Sequence, residues 1–328
     1  MGDDRGAAVV YNPVKVDVDA LRALVQAEES RLGRPPSSWH ETLDEDSGRL
    51  AVQEALAAAP AVLLVAGGDG TVRVAAELAQ GTGTPVALIP SGTGNLLARN
   101  LGLPLNDMAE SVRVAFAGST RAVDVAVAQL QDAAGARSRH VFLVMAGIGL
   151  DADMAQNTSA TAKRRIGWLA YIAPIARSIV DNRQFRLRYR IDGGRPQWAR
   201  THTVIAGNCG TLTGNMLLLP EAAVDDGLLD VVMLRPKTRF GWTRIGTRLA
   251  IQALVQRWRL GRRVLQLAPE LDALSYVQGR SFELRLRSPR GIQLDGDGFG
   301  DVIAAHIAVR PAALRVCTAA AQEAELPG

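Results

Sequence analysis

The sequence predicts an α/β protein: an N-terminal open α/β domain over residues 1–123, completed by the tail 306–328, and a C-terminal mainly antiparallel β-sandwich domain over 124–305. Three observations carry the prediction. Short apolar runs at Ala7–Tyr11, Val62–Ala66 and Pro85–Ile89 alternate with helical stretches, which is the βα pattern of a buried parallel sheet. Two of the runs end in glycine-rich turns, Gly67-Gly68-Asp69-Gly70-Thr71 and Gly92-Thr93-Gly94-Asn95. Past Asp124 the pattern changes to period-two strands, of which Phe185–Ile191 (Phe-Arg-Leu-Arg-Tyr-Arg-Ile) is the clearest.

In chain order, Ala7–Tyr11 is a first strand closed by Asn12-Pro13-Val14-Lys15, a stiff turn from which Lys15 can aim a charge at phosphates. Asp19–Leu32 is helical, with Leu21, Leu24, Val25 and Leu32 near one face, and the polar stretch Ser38–Ser47 has room for a short strand. Arg49–Ala59 is an alanine-rich helix stopped by Pro60. The strand Val62–Ala66 then runs through the first glycine turn into a helix over Val72–Leu78. Pro85–Ile89 repeats the design through the second turn into Leu96–Asn100, and Asp107–Ala117 adds another helix.

A strand that enters a helix through glycines presents backbone N–H groups at a helix N-terminus, which suits an anion and above all a phosphate. Two such turns after consecutive parallel strands lie at the carboxyl edge of one sheet, where open α/β sheets bind nucleotides. Asp69 is out of place beside a bare phosphate unless a metal ion, or a hydroxyl about to lose its proton, stands between them. The plainer reading is a βα turn in which the glycines supply positive φ and the aspartate a cap. Neither Gly-x-Gly-x-x-Gly with a following ribose acid nor a Walker sequence occurs, so both standard nucleotide motifs are poor matches.

In the second half, Ala122–Ala128 leaves the first domain and His140–Ala146 is apolar, ending in Gly147-Ile148-Gly149-Leu150-Asp151-Ala152. Ala162–Val180 is a basic amphipathic helix, and Asp192-Gly193-Gly194 is a hairpin turn. Thr201–Ala206, Leu229–Leu234 and Phe282–Arg287 are further strands. Ile292-Gln293-Leu294 enters Asp295-Gly296-Asp297-Gly298, and Val302–Val316 is placed to return to the first domain.

Composition narrows the function. The 328 residues are 48% hydrophobic and 21% charged, an ordinary globule, and at 5% aromatics a base-stacking nucleic-acid module is disfavoured. Two cysteines, Cys209 and Cys317, support neither a disulfide framework nor a Cys-rich zinc site. Met1–Arg5 is charged, and no run of about 20 apolar residues is present to span a bilayer, so the expectation is a cytoplasmic protein, at most peripheral to the inner face of the membrane. Net charge is only +4, yet Val231–Pro269 lacks any acidic residue and carries nine arginines and lysines with Phe240, Trp242 and Trp258 among them. Such a segment suits an anionic lipid surface, or is simply a solvated helix face with core tryptophans.

Taken together, Asn12-Pro13, Gly67–Thr71, Gly92-Thr93-Gly94-Asn95 with Ala98-Arg99, Gly149-Leu150-Asp151-Ala152 and Leu294-Asp295-Gly296-Asp297 occur in one order that resembles the diacylglycerol kinase catalytic family, specifically its soluble bacterial lipid kinases. The likeness runs from about Ala7 to about Val309; the Gly-Gly-Asp-Gly-Thr turn alone is shared with NAD kinases. The resemblance implies ATP in a cleft between the nucleotide-binding domain and the sandwich, Mg²⁺ with the nucleotide, and a lipid hydroxyl, most simply that of diacylglycerol, as acceptor. It implies ATP contacts from Asn12, Pro13, Lys15, Thr42, Gly67, Gly68, Asp69, Gly70, Thr71 and Thr93. It makes Asp297, Asp295 and Asp69 the candidate catalytic carboxylates, with the proton acceptor open between Asp295 and Asp297. The family usually has Glu where Asp297 stands, and many relatives carry an acid where this chain has Leu96-Leu97. It also implies a structural Mg²⁺ held by the Asp226 carboxylate and the carbonyls of Ala223 and Leu228. Expected partners are a lipid substrate at an anionic membrane surface, no nucleic acid, and a second copy in a homodimer. A NAD kinase-like enzyme with a soluble substrate, or a lipid- or nucleotide-binding regulator without catalysis, are the alternatives.

Overall fold

The structure is a computed structural model that describes residues 5–43, 48–149, 184–212, 216–217, 219, 221–234 and 274–319. The expected helix Ala162–Val180, the Leu150-Asp151-Ala152 stretch and nearly all of the basic segment ending at Pro269 lie outside the described residues. The chain divides into two units, Met1–Val125 with Ala312–Gly328, and Ala126–Pro311.

In the first unit, β1 (Ala8–Tyr11), α1 (Val18–Leu32), β2 (Ser38–Glu41), α2 (Arg49–Ala57), β3 (Leu63–Gly67), α3 (Asp69–Ala79), β4 (Val86–Pro90), α4 (Leu96–Asn100) and α5 (Met108–Ala117) follow in order. The strands are parallel in the order β2-β1-β3-β4, and the end of the chain's last strand adds a further parallel partner through Val316 beside Val86. Both faces of this sheet are covered, which is why β3 reads as an unbroken apolar run and is buried at every position. Val9, Leu64 and Ile89 meet Leu21 and Val25 of α1 and Val112 and Ala115 of α5 on one face. Each such fully buried aliphatic side chain is worth about 1.5–3 kcal/mol. Asp17 caps α1 by accepting from the Ala20 N–H at 3.0 Å, and Gly33 ends it in the left-handed region at φ 61°. Asp107 caps α5 in the same way through the Glu110 N–H at 2.8 Å.

The second unit is antiparallel. Its strands are β5 (Ser119–Gln131, which starts in the first unit), β6 (Arg137–Phe142), β7 (Met145–Ile148), β8 (Phe185–Ile191), β9 (Gln197–Thr201), β10 (Thr203–Gly207), β11 (Thr211–Leu212), β12 (Met216–Leu217), β13 (Leu229–Leu234), β14 (Leu274–Gly279), β15 (Ser281–Leu294) and β16 (Asp297–Thr318, which ends in the first unit). β15 belongs to two layers. Its first half pairs with β8, and β8 with β9; after a register shift between Arg285 and Arg290 its second half pairs with β7, which leads on to β10, β13 and β14. A strand that bends through an irregularity and changes partner is how a sandwich turns a corner. Phe142, Leu187, Met233, Phe282 and Leu294 are among the side chains filling its core.

Among the expected boundaries that move, two do so for a visible reason. The helix expected from Val72 begins at Asp69, so Gly70 and Thr71 belong to its first turn rather than to a loop. The single strand expected over His140–Ala146 is two strands, interrupted at Leu143 and Val144, whose amides are taken by a side chain instead of by a neighbouring strand.

Candidate active site

The carboxyl edge of the first unit's sheet gathers three chain turns. Tyr11 pairs with Ala66, and Gly67 with Pro90, so the residues after β1, β3 and β4 emerge side by side. After β1, the Asn12 N–H donates to the Ala66 carbonyl at 2.9 Å and the Asn12 Oδ1 accepts from the Val14 N–H at 3.0 Å, an Asx turn that carries Pro13 and holds Lys15 outward. Lys15 is exposed, and its Nζ lies 3.3 Å from where a Cβ on Gly68 would sit. The ammonium therefore stands over the first glycine turn.

The two glycine turns touch each other. A Cβ on Gly92 would come within 2.8 Å of the Gly68 Cα, and one on Gly67 within 2.9 Å of the Thr71 side chain; a Cβ on Gly94 would run into the Asp69 carboxylate. Glycine is thus required at 92 for close approach of backbone to backbone, and at 67 and 94 for close approach of a side chain. The second turn is closed internally: Asn95, at φ 48°, accepts from the Gly92 N–H at 3.0 Å and donates to the Gly92 carbonyl at 2.9 Å. That leaves Thr93 exposed at the apex.

Asp69 sits in the first turn of α3, where a negative charge is favourable, and its Oδ1 accepts from the Leu96 N–H at the start of α4 at 2.6 Å. The carboxylate that looked out of place in the sequence thus ties one glycine turn to the other. Arg99, on α4, braces the second turn alone, its Nε donating to the Gly94 carbonyl at 2.7 Å. These two ties were not read from the sequence, although an arginine five residues past a glycine turn was visible as part of the motif.

Thr42 follows β2, with its N–H donating to the Tyr11 carbonyl at 2.9 Å, and its buried hydroxyl Oγ1 has no hydrogen-bond partner. A buried orphan hydroxyl, backbone that only glycine permits, and a lysine over the turn are what a nucleotide's polar groups and phosphates need, so the residues fit ATP. Bound there, ATP would be held by Lys15 and the Gly68, Gly92 and Gly94 turns.

In the second unit, Asp295 and Gly296 are the two central residues of a tight hairpin between β15 and β16, at φ 49° and 92°, with Leu294 opposite Asp297. This is the two-residue turn that Asp-Gly favours. The Asp295 carboxylate is buried and turned back into the fold. Its Oδ2 accepts from the Leu143 N–H at 2.8 Å, and its Oδ1 from the Val144 and Met145 N–H groups at 2.9 and 3.0 Å. The Asp295 N–H returns a bond to the Met145 carbonyl at 2.9 Å. Asp297, two residues on, is exposed. Cys209 lies against the same segment, its thiol on the Leu143 carbonyl at 3.3 Å; burial, then the Asp295 charge, pushes that thiol well up, so it is no nucleophile.

The remaining predicted ligands, Ala223, Asp226 and Leu228, form one loop, where the Asp226 Oδ1 accepts from the Leu228 N–H at 2.9 Å. Among the described residues no three His, Cys, Asp or Glu side chains gather as a metal cluster, so a cation in this loop would rest on one carboxylate and carbonyl oxygens. Nor, among the described residues, is any helix long and apolar enough to cross a membrane.

Two family models match the chain: the diacylglycerol kinase catalytic domain over residues 7–128, and the YegS C-terminal NAD kinase beta sandwich-like domain over residues 144–318. A probable lipid kinase YegS-like protein of Pseudomonas aeruginosa (strain UCBPP-PA14) is 33% identical over 238 residues, 70% of this chain and 74% of that one. A diacylglycerol kinase of Mycobacterium tuberculosis is 28% identical over 277 residues, 83% of this chain and 82% of that one. Among solved structures, a diacylglycerol kinase from Bacillus anthracis str. Sterne matches with TM-score 0.72 at 21% identity over 97% of this chain and 98% of that one. Yeast NADH kinase complexed with NADH matches with TM-score 0.51 at 10% identity over 98% and 85%. The two structural likenesses speak for fold alone, and that fold serves lipid and dinucleotide kinases alike. The sequence matches discriminate where the fold does not, and by them this chain belongs to the diacylglycerol kinase family, as a lipid kinase of its YegS-like branch.

Proposed function

We propose that this lipid kinase transfers the γ-phosphate of ATP to the free hydroxyl of diacylglycerol, giving phosphatidic acid. The observation that carries the reading is the double glycine cradle, with Lys15 over Gly68 and the orphan Thr42 hydroxyl beside it. The choice of diacylglycerol follows the Mycobacterium tuberculosis relative, which bears that name. ATP supplies the phosphoryl group, and Mg²⁺ the neutralisation of its charge. The protein's part is to position: the turns bring backbone N–H groups to the phosphates, Lys15 offsets their charge, Asp69 ties the first turn to the second, and Arg99 braces the second.

Of the two carboxylates left open by the sequence, Asp297 is the better proton acceptor. A base needs a lone pair that can reach the substrate. Both oxygens of Asp295 are engaged by backbone N–H groups inside the fold, whereas Asp297 is exposed at the head of β16. The step then reads: the lipid oxygen bonds to the γ-phosphorus, its proton passes to Asp297, and the bond to the β–γ bridging oxygen breaks to leave ADP. The Asp226 loop would hold a second, structural Mg²⁺, and the enzyme would work at the inner face of the membrane.

Radiolabelled ATP offered with diacylglycerol in detergent micelles, with other lipid alcohols, and with NAD tests the reading directly. Labelled phosphatidic acid is the expected product. Label on NAD, or on another lipid with diacylglycerol left blank, would overturn it.

A further inference from the structure

The outward face of β9, β8 and the first half of β15 carries a charge pattern that catalysis does not explain. Along these strands the inward positions Phe185, Leu187, Tyr189, Phe282, Leu284 and Leu286 fill the core, so the alternating residues face out. Those residues are Arg186, Arg188 and Arg190 on β8, Glu283, Arg285 and Arg287 on β15, and Trp198 and Arg200 on β9. The register sets like against like: Arg186 is directly opposite Arg200, and Arg188 directly opposite Arg285. Like charges facing each other across a ladder destabilise a sheet. Only Arg190 faces an acid, Glu283. Among the described residues none of the six arginines makes an ion pair. Beside Arg188 stands Trp198, 65% exposed, an uncommon place for a large aromatic ring.

We infer that this face docks the enzyme onto an anionic phospholipid bilayer, with the arginines against lipid phosphates and Trp198 at the headgroup boundary. Strands about 4.8 Å apart and outward residues about 7 Å apart along each strand place the charges within roughly one or two Debye lengths, so a charged surface feels them jointly. A sheet face is flat at that scale, as a bilayer is. Arginine binds phosphate through a planar fork of donors, and an indole ring settles at a lipid interface. The choice of a bilayer over a polynucleotide rests on the family's lipid-kinase activity, since the acceptor lies in the membrane. None of these residues belongs to the basic Val231–Pro269 segment of the sequence.

The test uses the full chain without nucleotide, sedimented with vesicles of phosphatidylcholine alone or mixed with phosphatidylglycerol, and compares the triple variant Arg186→Gln, Arg188→Gln, Arg285→Gln. Each basic residue at an anionic surface is worth about fivefold in partition, so the triple variant should bind mixed vesicles roughly 100-fold more weakly. Its turnover of micellar diacylglycerol should match the parent, and its thermal midpoint should equal or exceed the parent's, because both like-charge pairs are relieved. The charge-conserving triple Arg→Lys variant should keep most of the binding. The inference is overturned if the glutamine variant partitions like the parent, if neutral vesicles bind as well as mixed ones, or if the lysine variant loses as much as the glutamine one. It is also overturned if the substitutions abolish binding to duplex DNA while leaving vesicle binding intact. A parent that phosphorylates no lipid yet sediments through these arginines would defeat the proposed reaction and leave the docking face standing.

Discussion

Replacing Asp295 and Asp297 one at a time separates a carboxylate that holds the fold from one that takes a proton. In Asp295→Ala, three N–H groups, those of the buried Leu143 and Val144 and the half-buried Met145, lose their acceptor together. An orphaned buried donor costs about 1–3 kcal/mol, and these bonds went to an ionised group, so the loss should be at least about 3 kcal/mol. Asp295→Asn is the finer probe. Its oxygen can keep the Val144 and Met145 bonds, but its NH₂ then faces the Leu143 N–H, donor against donor, for a cost of about 2–3 kcal/mol. For a domain of this size each kcal/mol moves the thermal midpoint by about 2–4 °C, so the asparagine variant should melt roughly 5–10 °C low. Asp297→Asn, at an exposed position, should leave the midpoint within about 2 °C and lower kcat about 10²–10⁴-fold, as loss of a general base does. Differential scanning calorimetry paired with the labelled-ATP assay reads both. Asp295→Asn melting with the parent would refute the clamp, and full turnover by Asp297→Asn would refute the base.

Other consequences are simpler to state. Gly92→Ala sets a methyl group 2.8 Å from the Gly68 Cα, so it should cost about 1–3 kcal/mol in urea unfolding and raise KM for ATP more than it lowers kcat. Asp69→Ala removes the tie to the Leu96 N–H and should cost about 1–2 kcal/mol by the same measurement, besides its loss of activity. Burial raises the Asp230 carboxyl above its ordinary 3.8, against hydrogen bonds from Tyr276 and Gln278 that oppose the rise, and its Oδ2 has no partner. A raised acid favours the native state while protonated and loses that contribution as pH climbs through the folded value, so Asp230→Asn should gain on the parent from pH 4 to pH 7 in paired melting curves. Cys209 and Cys317 are buried, with their thiols pushed up by burial, and should react with Ellman's reagent at pH 8 only after denaturant is added.

The sequence disclosed whatever depends on local pattern. Unbroken apolar runs and glycine turns located β3 and β4, because strands buried on both faces must be apolar throughout and backbones in contact must be glycine. Alternation located β8 and the first half of β15 for the same kind of reason. What stayed hidden was long-range pairing. Nothing in Val141–Ala146 announces a break, since the cause is a carboxylate about 150 positions away in sequence. Likewise Phe185–Ile191 shows three arginines on one face, but that Arg186 meets Arg200 and Arg188 meets Arg285 follows only from register.

The carboxylates make the same point about function. Asp69 and Asp295 are acids in glycine-rich turns, and motif reasoning assigns both to chemistry. Each is bonded to backbone N–H groups at the start of another segment, Asp69 to Leu96 across 27 positions and Asp295 to Leu143 across 152. Aspartate is suited to this work because its short side chain brings a full charge and several lone pairs to amides that a turn leaves unpaired. A dead enzyme after substitution at either site therefore does not by itself identify a catalytic group, since a displaced turn and a missing base both abolish transfer. The discriminating quantity is stability measured on the same variant. A lost clamp lowers the melting point and activity together, whereas a lost base lowers activity alone.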